Sequence, residues 1–110
     1  MKIENRENYI LISSDENSFS DFYKSFSKKE KEFQNKNVIL RISDEIKGKK
    51  ENFSLFLSLA KQKKENGTSF AIITTKVNTD NFPEYFNIVP TLQEAKDILE
   101  MEAMERELGF

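Results

Sequence analysis

The side chains that could carry chemistry in this chain are few in kind. Asp44 and Glu45 stand side by side just after an apolar run, where open α/β sheets gather functional residues at the C-terminal ends of their strands. Lys28, Lys29 and Lys31, and then Lys61, Lys63 and Lys64, form basic clusters of the kind that meets phosphates. Lys47, Lys49 and Lys50 surround Gly48. The sequence contains neither Cys nor His. That removes disulfides, thiolate and imidazole metal ligands, Cys or His nucleophiles, and the Ser-His-Asp triad. Acid–base work is left to carboxylates, Lys and Tyr. An Asp-Glu pair with no further ligand cluster reads as a helix-side loop rather than a metal or catalytic site. Lys47-Gly48-Lys49-Lys50 has too few glycines to cradle a phosphate. The expectation is a protein that is not an enzyme, with no catalytic, cofactor-binding or metal-ligating residues.

The elements must come from 110 residues, enough for one domain spanning 1–110. Charged residues make up 33% and hydrophobic ones 37%, so the chain is polar, yet ten Phe and three Tyr give each buried side chain a large area. Three Gly and two Pro argue against disorder and against a loop-rich all-β fold. The apolar runs fall far below the roughly 20 residues a membrane-spanning helix needs. The polar residues after Met1-Lys2-Ile3-Glu4 leave no secretory apolar segment. A cytoplasmic location without membrane contact is the expectation, and the lack of Cys is compatible with a reducing compartment. Net charge is −2 but unevenly spread: −3 over residues 1–23, +7 over 24–64 and −6 over 65–110. Such polarity suits a nucleic-acid surface in the middle, or basic and acidic elements facing each other within the fold or across a dimer.

Periodicity places the elements. Residues 2–13 read as two short strands turning at 5–7, the second being the apolar run Tyr9-Ile10-Leu11-Ile12. Phe19, Phe22, Tyr23 and Phe26 then fall on one helical face, capped by Asn17 or Ser18, with Phe33 extending the stripe imperfectly. Val38-Ile39-Leu40-Arg41-Ile42 is a buried strand. Residues 45–50 form a loop, and Phe53, Phe56, Leu57 and Ala60 trace a helix to Asn66, with Gly67 at the left-handed cap. Phe70-Ala71-Ile72-Ile73 is an interior strand. The span 77–86 allows only a short helix, and 86–89 suits a short edge strand ended by Pro90. Thr91-Leu92-Gln93-Glu94 is a capping box opening a final acidic helix. Leu92, Ala95, Leu99 and Ala103 mark its packed face, with Ile98 and Met101 beside it. The order is β-β-α-β-α-β-(short α)-β-α: an α/β domain of four to five strands, mostly parallel inside, with helices packed on the sheet.

That order, the phrase Leu57-Ser58-Leu59-Ala60-Lys61-Gln62-Lys63-Lys64-Glu65-Asn66-Gly67 between two buried strands, and the ending Phe86-Asn87-Ile88-Val89-Pro90-Thr91-Leu92-Gln93-Glu94-Ala95 resemble the STAS domain of sulfate transporters and anti-sigma factor antagonists. The resemblance covers nearly the whole chain through the joint order and spacing of phrases that are each generic. It implies a single STAS-like domain. In anti-sigma factor antagonists a loop before the corresponding helix carries a hydroxyl that a partner kinase phosphorylates, and the added charge disrupts docking. Here that stretch falls on Lys49-Lys50-Glu51-Asn52, which has no hydroxyl. Ser43 precedes the loop and Ser54 lies one turn into the helix, so the switch does not carry over, although Glu51 offers a fixed negative charge.

What the resemblance leaves is a protein-binding surface formed by Lys47, Lys49, Lys50, Glu51, Ser54, Leu55 and Leu59. Leu55 and Leu59 lie toward one side of the helix, either partly exposed as an apolar strip rimmed by Lys or packed against a neighbouring helix. The resulting expectation is a regulatory interaction module that binds a protein partner or itself. The alternative is an RNA- or nucleotide-phosphate-binding accessory protein using the basic region 24–64. Its aromatics sit at core spacing, and the acidic pI near 5.3 weighs against it.

Overall fold

The computed structural model describes residues 1–43, 46, 50–75 and 82–109, the side chain of Lys50 excepted. A single five-stranded sheet organises them: β1 (Lys2–Asn5), β2 (Ile10–Ser13), β3 (Val38–Arg41), β4 (Phe70–Ile73) and β5 (Asn87–Val89), side by side in chain order. The β1–β2 pair is antiparallel, joined by a turn in which the Arg6 amide donates to the Tyr9 carbonyl at 2.9 Å. All later pairs are parallel, in the rows Ile10–Val38–Phe70 and Ile12–Leu40–Ile72–Ile88. The sequence reading of an α/β domain with a mostly parallel sheet therefore holds.

Parallel pairing requires crossovers, and each one steps in the same direction across the sheet. Right-handed crossovers then place their helices on one face. Helix α1 (Phe19–Lys29), whose first turn is capped by the Ser18 hydroxyl accepting from the Asp21 amide at 3.1 Å, occupies that face. So does the segment formed by α2 (Lys50–Phe53), a 3₁₀ turn (Ser54–Phe56) and α3 (Leu57–Glu65). A final helix, α4 (Leu92–Glu107), covers the opposite face beneath a Thr91 cap whose hydroxyl accepts from the Glu94 amide at 3.1 Å.

Two unequal cores result. Alternate strand residues Ile10, Ile12, Val38, Leu40, Phe70 and Ile72 point to the α1–α3 side. There Phe56 meets Phe19, Tyr23 and Phe26 with ring centroids 5.4–5.7 Å apart. Leu11, Ile39, Ala71 and Ile73 point the other way, to Ala95 and Leu99 of α4. One side is thick and aromatic, the other thin and aliphatic.

Several expectations change in detail. The helix drawn from Phe53 to Asn66 is interrupted by the 3₁₀ turn, and Phe33 ends a second 3₁₀ turn (Glu30–Phe33) rather than extending α1. Gly67 closes α3 in the left-handed region at φ 76°, as its position suggested. Of the short helix allowed over 77–86, residues 77–81 lie outside the described residues, and 82–86 are turns in which Phe82 and Phe86 stack edge-on at 5.0 Å.

Candidate functional site

The surface suggested by the sequence gathers where α2 begins, and its members fare differently. Lys47 and Lys49, like Asp44 and Glu45, lie outside the described residues. Lys50 opens α2, Glu51 follows it in the first turn with its side chain exposed, and Ser54, half-buried, starts the 3₁₀ turn. Leu55 is 48% exposed. Leu59 is only 8% exposed and packs in the aromatic core. An apolar strip made of both leucines is thus corrected to one exposed leucine.

The 3₁₀ turn supplies the physical reason. With three residues per turn, side chains three apart eclipse each other. Phe53 and Phe56 therefore both turn to the core side, and Leu59, three further on, follows them inward. Leu55 sits one residue before Phe56, about a third of a turn away, and faces out.

The basic clusters are also not equivalent. Lys61 and Lys64 are exposed, and the Lys64 ammonium lies 5.7 Å from the centre of the Tyr85 ring. Lys63 is 2% exposed. Its Nζ donates to the carbonyls of Phe33 and Lys36, both at 2.6 Å, so it ties α3 to the chain between the 3₁₀ turn and β3. Burial lowers its pKa from 10.5 to about 8, with Glu30 pulling it back up. A phosphate-contacting role for Lys63 is therefore corrected: the side chain is buried and two of its donors are taken by backbone carbonyls.

A second surface went unread in the sequence. Met101 and Met104 on α4 and Leu108, its C-cap residue, are 59%, 61% and 70% exposed. Spacings of three and seven residues put them on one stripe. Met101 stands two residues beyond the buried Leu99, about 200° around the helix, so the stripe faces away from the sheet. Ala103, expected on the packed face, is exposed, and burial along α4 ends at Leu99. The signal was a second apolar stripe beside Leu92, Ala95 and Leu99, on a helix that needed only one. Exposed Glu94, Asp97, Glu100, Glu105 and Glu107 flank it.

Among the described residues, the sheet edges gather few side chains that would do chemistry. In open parallel sheets the binding crevice opens where the strand order reverses, and β2 to β5 run in order without reversal. A shallow depression over the strand ends is lined by Arg41, Ser43, Thr74, Thr75 and Thr91. Among the described residues no group of three or more metal-capable side chains comes together, and no helix is long and apolar enough to cross a membrane. No protein-family model matches the chain, and no curated protein matches it.

Proposed function

We propose that this chain is a non-catalytic, cytoplasmic protein–protein interaction module, STAS-like, resembling an anti-sigma factor antagonist without the phosphorylatable hydroxyl. The observation that carries the reading is Leu55. On a face whose other described aromatic and aliphatic helix residues are buried or, like Tyr23 and Leu57, partly buried against the core, one leucine stands half-exposed a single turn past Lys50 and Glu51. An exposed apolar anchor one turn from the exposed Glu51 carboxylate has the make-up of a docking site, with an apolar centre and a polar rim. The surface is constitutive, because the loop that carries the family's switch has Glu51 and two lysines in place of a hydroxyl.

The test is capture of a stoichiometric protein partner by the purified chain. Leu55→Asp and Lys50→Glu should each cut recovery at least severalfold without lowering the unfolding temperature. Recovery unchanged by both substitutions would overturn the reading. So would salt-sensitive RNA binding that is lost in the double variant Lys61→Glu/Lys64→Glu, which would favour the basic region as a nucleic-acid surface.

A further inference from the structure

Large exposed apolar side chains are scarce among the described residues, and they are not scattered. Met101, Met104 and Leu108 form one stripe on the outer face of α4, and Leu55 stands on the outer face of the α1–α3 layer. These two patches lie on opposite faces of the same sheet and differ in charge. The α4 stripe is bordered by Glu94, Asp97, Glu100, Glu105 and Glu107, while the two bases of that helix, Lys96 and Arg106, lie toward the sheet side by helical position. The opposite layer, drawn mostly from the +7 segment, exposes Lys24, Lys28, Lys29, Lys31, Lys61 and Lys64 against the acids Asp21, Glu32, Glu51 and Glu65, so bases outnumber acids among its described exposed side chains.

We infer that the Leu55 surface is occupied by the α4 stripe of a second copy of this chain, giving head-to-tail self-association. The inference rests on the docking reading of Leu55 and names its occupant. Charge selects this arrangement over the simpler two-fold pairing of α4 with α4, which would bring two rows of carboxylates together. An acidic apolar stripe against a basic layer with its own apolar anchor is complementary instead. Because the patches sit on opposite faces, one copy cannot satisfy both by itself. Each bound copy also leaves a free patch at either end, so the contact propagates rather than closing as a dimer.

Sedimentation velocity on the intact chain reads this directly. The wild type should sediment faster as its concentration rises and pass beyond the mass of a dimer. Raising NaCl from about 0.05 M to about 0.5 M should weaken the association by about tenfold. Met101→Glu/Met104→Glu and Leu55→Glu, all at exposed positions, should each be monomeric alone. Mixed, they should form a 1:1 dimer and nothing larger, since the first keeps an intact Leu55 surface and the second an intact α4 stripe. A wild type that stays monomeric overturns the inference, and capture of a foreign partner through Leu55 would still leave the docking reading standing. Association that survives Leu55→Glu but not Met101→Glu/Met104→Glu also overturns it, since α4 would then be pairing with itself. A mixture that remains monomeric does the same.

Discussion

Lys63 shows how a residue type misleads when its surroundings are not yet known. In the sequence it stands between two surface lysines at the end of a helix and looks like a third. In the fold its aliphatic stem runs inward, and its amine satisfies two backbone carbonyls at the close of the Glu30–Phe33 turn and just beyond it. Nothing local distinguishes it from Lys61 or Lys64; its burial depends on a segment 27–30 residues away. Replacing it with Met keeps the stem and strands both acceptors, so Lys63→Met should cost on the order of 1–3 kcal/mol in urea unfolding. The pH dependence has a definite sign. Between about 8 and 10.5 the folded chain has released the Lys63 proton while the unfolded chain still holds it. Stability contributed through this group therefore rises with pH across that window, and the neutral amine keeps two N–H donors for the two carbonyls. The stability gap between wild type and Lys63→Met should widen from pH 8 to pH 10. A gap that narrows would contradict the lowered pKa.

Among the elements, strands and caps were legible because their signals are local. Apolar four-residue runs marked β2, β3 and β4, Asn17-Ser18 and Thr91 marked helix starts, and Gly67 marked a helix end. The split between Leu55 and Leu59 was not legible, because it follows from the 3₁₀ turn at Ser54–Phe56, which has no residue signature as plain as a Gly or a Pro. Likewise, the stripe Met101–Met104–Leu108 was visible as apolar spacing, but which of two stripes faces the sheet is decided by packing. Phe56, at the centre of the interrupted segment, touches rings from α1 and from β4 as well. Phe56→Ala should therefore cost about 3–5 kcal/mol. Thr91→Ala, which removes the hydroxyl that accepts from the Glu94 amide and donates to the Glu94 carboxylate, should cost about 1 kcal/mol and leave the midpoint slope unchanged. Equal losses for the two would show that the aromatic cluster is not the centre of that face.

At the scale of the molecule, the two cores share one sheet and cannot melt independently. Leu99→Ala, on the thin face, should lower the transitions seen by backbone circular dichroism and by tyrosine fluorescence together, by about 2–5 kcal/mol. Tyr9 lies on the thin side and Tyr23 and Tyr85 on the thick side, so separate transitions would reveal two cooperative units. The fold class was legible at this scale because alternating strand and helix signals leave few topologies. The charge map was legible too, but the faces on which +7 and −6 fall emerge only with the crossovers.

The strand order has a consequence for how the chain is made. Every strand pairs with the one that precedes it in sequence, so each partner has already left the ribosome when a new strand emerges. Assembly can follow synthesis step by step, with local pairing keeping the search short. The exception is the last element. Until α4 is released, Leu11, Ile39, Ala71 and Ile73 form a bare aliphatic sheet face. A nascent chain stalled before residue 92 would be the sticky species that chaperones and proteases meet.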